Sequence, residues 1–329
     1  MKRAMQQGLE ALNELLPGSF QLPLDPRIEV GKIIVSKCRV MDSAKKPLWL
    51  VFENAEEGGD PVTVMFKAGD DVRQDCLTLQ LVRLMDEMWR DEGLDLAMEP
   101  YKRDGMMGTF KDPSFSDWIR ANNPDPRSHK AAVDLFSRSC AGYCVATCVL
   151  GIGDRHNDNI MIQSSGRYFH IDFGHFLGHL KYYKLGIRRE RTPFVFTNEM
   201  AYVLGGVEGK DFAKFVDTAC TAYCVLRRQM HLLVSLLLLM VPADMPELTG
   251  RDDINHIVTT LAPEVSDERA PDMPELTGRD DINHIVTTLA PEVSDERARE
   301  SFEQTIHFCL DSRFKRFDNY LHNIAHAFG

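Results

Sequence analysis

The chain has 329 residues, 44% of them apolar and 26% charged, enough for one large domain or two lobes with a sizeable core. Its formal net charge of −11 excludes a uniformly basic nucleic-acid binder, so no nucleic acid is expected as a partner. The Met1 end is polar and lacks the apolar h-region of a signal peptide, and the longest apolar run, residues 231–241, is too short to span a bilayer.

In chain order, residues 1–16 pattern as a short amphipathic helix and "PGSFQLPLDP" as a linker. Strand-like runs follow at 33–41, 48–53 and 62–67, rich in Val, Ile, Phe and Trp, with "SAKKP" as the turn between the first two. From Val72 to Trp89 the apolar spacing turns helical, with Asp70 or Asp71 as candidate caps and Gly93 past the end. From about Ser128, "AAVDLFSRSCAGYCVATCVLG" reads as one long helix that stops at Gly151 or Gly153. Two short strands, "IMIQ" and "YFHI", flank "SSG"; a basic loop comes next, then helices, with 231–241 as a core helix.

The 8 cysteines form no CxxC pair. Cys140, Cys144 and Cys148 share a helix spacing, as do Cys220 and Cys224; that spacing suits either a soft metal site or small apolar residues along a core helix, and the second is preferred. Such scattered thiols suggest a reduced, intracellular protein. Residues 244–270 recur letter for letter at 272–298. Two perfect copies do not make a solenoid. The expectation is one native segment and one looped-out copy, with a spare helix at "DDINHIVTTL".

"GIGDRHNDNIM", residues 151–161, places Asp154, Arg155, His156 and Asn159 just before the first short strand, and "DFGH", Asp172–His175, follows the second. If the two strands form a hairpin about Ser164–Gly166, the start of one lies beside the end of the other, and Asn159 and Asp172 meet there. An amide oxygen and a carboxylate are hard ligands, suited to Mg2+ carrying phosphate oxygens. Asp154 and His156 occupy the preceding loop, within reach of the same place. The plain alternative is that these residues only cap turns. Asp-x-His-x-x-Asn, a hairpin and then Asp-Phe-Gly is far more specific than a lone DFG.

This arrangement resembles the lipid-kinase branch of the kinase superfamily. Protein kinases carry H-R-D-x-x-x-x-N before D-F-G, whereas here the order is D-R-H-x-x-N. "VMDSAKKPLWLVFEN", "FKAGDDVRQD", "SCAGYCVATCVLGIGDRHNDNIM", "HIDFGHFLG" and "RRERTPFVFT" are similar to the catalytic domain of phosphatidylinositol 3-kinases, over roughly residues 25–329. Class I is most similar; "FKAGDD", "FVFT" and "LHNIAH" also resemble class II.

The resemblance implies an α+β, bilobal, protein-kinase-like fold with a small antiparallel-sheet N-lobe and a larger, mostly helical C-lobe. Residues 1–24 would be a linker or the end of a preceding helical domain, 25–101 the N-lobe and 102–329 the C-lobe. It implies ATP and Mg2+, and transfer of the γ-phosphoryl group to the 3-hydroxyl of a phosphoinositide. Lys67 matches the lysine at the α-phosphate, and Ser43 and Lys45 match the phosphate-binding turn. Asp75 and Tyr101 match the inner nucleotide pocket, and Met41, Trp49, Met161 and Ile171 its apolar walls; for these four, core packing is an equally good account. Asn159 and Asp172 would hold Mg2+, Asp154 and His156 would handle the hydroxyl proton, and His175 would help stabilise transferred charge. Lys181, Lys184, Arg188, Arg189 and Arg191, facing one acid at Glu190, would cradle headgroup phosphates. The last segment, "RFKRFDNYLHNIAHAFG", resembles a final membrane-touching helix, with a plain packed helix as the alternative. The implied setting is the cytoplasm with peripheral recruitment to a phosphoinositide membrane surface, and a regulatory or adaptor subunit would bind through domains outside this chain.

One stretch departs from the pattern. Between Tyr101 and Trp118 only "KRDGMMGTFKDPSFSD" stands where the family has its adenine-binding hinge strand and a following helix, so the hinge reads as shortened over 102–117, with neither strand nor helix legible. Two rival readings follow: a hinge-deleted inactive fragment or faulty gene product, and a serine/threonine kinase of the related lipid-kinase-like group. The basic loop after DFG argues against the second.

Overall fold

The computed structural model describes residues 2–41, 46–69, 71–98, 115–156, 159–179, 192–243, 245–248 and 294–311, together with the backbone of 106–107. The chain divides into two compact units, Met1–Val72 and Arg73–Gly329. Mixed helices and antiparallel sheets make the fold α+β.

In the smaller unit, helix α1 (Lys2–Leu15) precedes strands β1 (Phe20–Leu22), β2 (Asp25–Ile33), β3 (Arg39–Val40), β4 (Leu48–Asn54) and β5 (Val62–Phe66). β4 is the hub of this antiparallel sheet. It pairs with β2 near its end (Ile33↔Phe52), with β3 at its start (Val40↔Leu48) and with β5 along its length (Leu48↔Phe66 to Phe52↔Val62). Leu9, Leu22, Val30, Ile33, Val51 and Phe52 form its core. Two polar clamps tie α1 to the sheet. Asn13 bonds both the N–H (2.8 Å) and the C=O (2.9 Å) of Ile33, and Lys32 donates to the carbonyls of Asn13 and Leu16 at the open end of α1.

Two sequence expectations change here. The expected linker after α1 contains β1 and the start of β2, which pair with each other. The strand expected at 33–41 is split by a 3-10 turn at Val35–Lys37. The apolar run hides that break, because the Cys38 thiol turns inward, donating to Ile34 O and accepting from Val51 N.

The larger unit begins with α2 (Arg73–Asp91), which packs into its core through Trp89; that side chain is fully buried and its indole N–H donates to Ala222 O at 2.9 Å. β6 (Met106–Met107) and α3 (Phe115–Asn122) lie in and just past the stretch where neither strand nor helix was legible. β6 is only two residues long and is specified by its pairing with β7, not by its own composition. α4 (Pro126–Val149) starts at its Pro because the Asp125 carboxylate accepts from the N–H groups of Arg127 and Ser128. β7 (Ile160–Gln163) and β8 (Tyr168–His170) follow, then α5 (Asn198–Val203), α6 (Lys210–Arg228), α7 (Met230–Met240) and α8 (Asp295–Asp311).

α6 lies in the middle of this core, against α4 on one side and α8 on another. Phe196 stacks on Phe215 and Tyr223 on Phe302, each with ring centroids 4.5 Å apart. Cys140, Cys144, Cys148, Cys220 and Cys224 are buried along α4 and α6 as small core residues. Burial pushes the Cys144 and Cys148 thiols up strongly, and that of Cys220 up to about 12. No group of three or more potential metal-binding His, Cys, Asp or Glu side chains occurs among the described residues. No single described helix is long and apolar enough to cross a membrane.

Of the tandem repeat, Met245–Leu248 of the first copy and 294–298 of the second are described. The second copy runs into α8, so the described ends come from different copies. The "DDINHIVTTL" segments, the "SAKKP" turn residues up to Lys45 and the C-terminal 312–329 lie outside the described residues.

Candidate functional site

The hairpin expected from "IMIQ" and "YFHI" forms in the register Ile160↔His170, Met161↔Phe169, Ile162↔Tyr168, its second strand ending one residue sooner. Pairing continues one step further, with the Ile171 N–H donating to Asn159 O at 3.0 Å. Asn159 and Asp172 therefore stand at the same end of the hairpin, one residue out of step. α4 holds the hairpin from behind. Gly166 in its turn has φ +92°, and an added Cβ there would overlap the Ala132 carbonyl oxygen of α4. The Tyr168 N–H donates to Ser139 Oγ of α4 at 3.0 Å, and the Tyr168 ring meets Phe136 edge-on.

Arg155 organises the polar end, a role the sequence reading did not give it. Its guanidinium is buried, donates to the carbonyls of Gly153, Ile171 and Asp172, and lies 5.6 Å above the Phe173 ring. One cation thus binds the loop before the hairpin to the segment after it. The signal for Arg155 was its place inside the motif; its partners are backbone carbonyls, which no side-chain pattern reveals. Backbone pairs add to this link: Gly153 N to His175 O, Leu177 N to Leu150 O and Gly178 N to Gly151 O.

Asn159 is buried, and its Nδ2 donates to Asp154 O at 2.7 Å. That bond fixes the amide, so Oδ1 is the atom left to accept or ligate. Asp172 is exposed, and among the described residues no donor engages its carboxylate. Asp154 and Asp172 adopt left-handed backbone, φ 56° and φ 60°, which non-glycine residues take rarely, Asp more readily than most. The His156 Nε2 lies 4.0 Å from Asp154 Oδ2, both side chains being mostly buried. His175 is partly buried and pairs through Nδ1 with Glu247.

Asp75, on the first turn of α2, accepts the Phe173 N–H at 2.9 Å, so its carboxylate meets the DFG backbone directly. Met161 is buried inside β7 and Ile171 is half-buried just past β8. In the smaller unit, Trp49 is half-buried in β4 beneath the Arg39 guanidinium (5.1 Å), and Met41 donates its N–H to Pro47 O. Lys67 follows directly on β5 and is half-buried. Ser43, Lys45, Tyr101, Lys181, Lys184, Arg188, Arg189 and Arg191 lie outside the described residues.

This end presents one amide oxygen oriented by its own N–H bond, one carboxylate that no donor among the described residues engages, and a backbone locked by a buried cation. Two such oxygens fit Mg2+, which commonly takes one or two protein oxygens and fills its other positions with phosphate and water.

The sequence model of a family described as phosphatidylinositol 3- and 4-kinase matches residues 61–108 and 105–250. Phosphatidylinositol 3-kinase 1 of Dictyostelium discoideum is 41% identical over 338 residues, covering 94% of this chain and 20% of that protein. Phosphatidylinositol 3-kinase 2 of the same organism is 44% identical over 295 residues, covering 82% of this chain and 16% of its own length. The human phosphatidylinositol 4-phosphate 3-kinase C2 domain-containing subunit beta is 40% identical over 295 residues, covering 81% of this chain and 18% of that protein. The chain thus spans a fifth or less of the length of these relatives.

Proposed function

The chain belongs to the phosphatidylinositol 3- and 4-kinase family, and on that premise we propose that it is the catalytic part of a phosphoinositide 3-kinase. It moves the γ-phosphoryl of ATP to the 3-hydroxyl of an inositol lipid; the hydroxyl oxygen forms the new P–O bond, the bond to ADP breaks, and the hydroxyl proton leaves. The observation that carries this reading is the shared hairpin end of Asn159 and Asp172, clamped by Arg155.

In this reading Asn159 Oδ1 and the Asp172 carboxylate would hold Mg2+, which would supply neutralisation of phosphate charge. Asp154 and His156 stand in the loop that takes the hydroxyl proton, and His175 sits beside the transferred group. Asp75 orients the DFG backbone by accepting the Phe173 N–H. Lys67, Ser43, Lys45, Tyr101, Met41, Trp49, Met161 and Ile171 serve the nucleotide, and Lys181, Lys184, Arg188, Arg189 and Arg191 the lipid headgroup, as the family resemblance assigns them. Work at a membrane surface from the cytoplasm, and a regulatory subunit bound through other domains, belong to the same proposal.

The test is transfer from radiolabelled ATP to vesicles of phosphatidylinositol or its 4,5-bisphosphate, comparing this chain with Asp172→Ala. Labelled 3-phosphorylated lipid made only by the unsubstituted chain is expected; equal counts from both would defeat the proposal.

One observation favours a second reading. The family match breaks into two segments that meet at 105–108, inside the shortened hinge. A chain with no adenine anchor would be an inactive fragment. Mg·ATP would then leave its melting temperature unchanged, whereas the kinase reading expects a rise.

A further inference from the structure

Glu247 lies far from the motif in sequence, in the first copy of the repeat, yet its carboxylate reaches the segment that follows DFG. Its Oε2 accepts the Phe176 N–H at 2.7 Å and the Gln74 Nε2–H at 3.1 Å. Its Oε1 is 2.9 Å from His175 Nδ1. The turn that presents it is anchored on both sides, since Met245 and Leu248 are buried in the core and bridge each other. Gln74 also donates to Phe173 O at 3.0 Å. The Asp-Phe-Gly-His segment is therefore held by two acids: Asp75 on the Phe173 N–H and Glu247 on Phe176 and His175.

A carboxylate only accepts, so its contact with His175 places a proton on Nδ1 and leaves Nε2 as the ring nitrogen outside this contact. A carboxylate partner on Nδ1 fixes the orientation and tautomer of a histidine, and here the same carboxylate also holds the backbone N–H of Phe176. We propose that Glu247 is a positioning residue for the reaction: it fixes the ring of His175 and the backbone after Asp172, and so presets the metal-binding end of the hairpin. This rests on the kinase reading for its consequence in catalysis, but the contact itself is independent of it.

The test uses the full chain. Because Glu275 occupies the same place in the second copy, both acids are changed together, as E247A/E275A, with E247Q/E275Q as the gentler form should the first lose its folded state. Three readouts are taken. Hydrogen exchange at the Phe176 amide, without ligand, is expected to speed up about tenfold or more, with a fall in melting temperature no larger than the loss of a buried hydrogen-bond acceptor brings. Mn2+ affinity in the presence of a non-hydrolysable ATP analogue, read by electron paramagnetic resonance, is expected to weaken about tenfold or more. In lipid transfer, kcat is expected to fall by about 10- to 100-fold with the KM for lipid unchanged. Unchanged Phe176 exchange together with unchanged Mn2+ affinity would overturn the proposal, as would a fall in kcat in both variants that disappears once activity is scaled to the fraction of folded protein. If the parent chain transfers no phosphate at all, the kinase reading fails, and exchange and Mn2+ affinity still decide the role of Glu247.

Discussion

The two sheets of the molecule are held by opposite means. In the smaller unit, β4 pairs along both edges, and its neighbour β5 leaves Met65 and Phe66 exposed. That sheet rests on its own ladder, a modest core and the clamps from α1. In the larger unit, β7 and β8 are only four and three residues long, and every residue in them is buried. They owe their place to α4, through the close approach of Gly166 to Ala132 and the bond from Tyr168 N to Ser139 Oγ. A long strand carries its own pairing information. A short one takes it from a helix behind, which frees its ends for polar side chains that contribute nothing to the ladder.

This contrast makes the hairpin end separable from the hairpin. Asp172→Asn keeps a residue tolerant of left-handed backbone and changes an exposed side chain. Lipid transfer should fall by more than the about hundredfold typical of losing an outer-shell partner, with the melting temperature unchanged. A fall in melting temperature with activity intact would mean that Asp172 is a turn cap, and the division between scaffold and site would collapse. Gly166→Val tests the other side. A Cβ there meets the Ala132 carbonyl, and the backbone is left-handed, so a loss of about 2–4 kcal/mol is expected by chemical denaturation. In the smaller unit, Gly58 also has positive φ (76°), but nothing lies within 4 Å of an added Cβ. Gly58→Ala should cost only the backbone term, about 1 kcal/mol. Equal losses at the two glycines would erase the difference between the sheets. Ser139→Ala is smaller than Gly166→Val and larger than Gly58→Ala. It removes the acceptor of a buried Tyr168 N–H and should cost about 1–3 kcal/mol.

What the sequence disclosed follows the same line. β4, β5, α2, α4 and the hairpin were legible because each carries its own period or turn residues, from the Val-rich "VTVMF" to the spacing along "LTLQLVRLMDEMW". The break at Val35–Lys37 was hidden, since a thiol turned toward Val51 leaves no mark on an apolar run. β6 was hidden for the opposite reason: two residues have no period, and only Gln163 and Ile162 across the ladder define them. At the site, spacing alone pointed to Asn159, Asp172, Asp154 and His156, because hard-ligand and proton-handling chemistry restricts the residue types that a motif can carry. The contacts of Arg155 and Glu247 could not be read that way, because they run to backbone groups and to partners up to 173 positions away. Positioning residues are read from the fold, not from the motif they serve.

The repeat gives the smallest effect and the sharpest test of that distinction. The described part of the first copy ends at Leu248 and that of the second begins at Ser294. Removing residues 249–276 joins Leu248 to Thr277 and restores a single copy, leaving Glu247, its anchors and the start of α8 in their native sequence context. If the intervening residues only lengthen the connection, shortening it to less than half relieves loop-closure entropy by about 1 kcal/mol or less, in favour of the folded state. The denaturation midpoint should rise slightly or stay level. Unlike Gly166, a segment whose neighbour is an identical copy cannot own a partner that the copy could not equally claim. A loss above about 2 kcal/mol would show that the extra copy packs somewhere specific, and the loop would have to be treated as part of the scaffold, as α4 is for the hairpin.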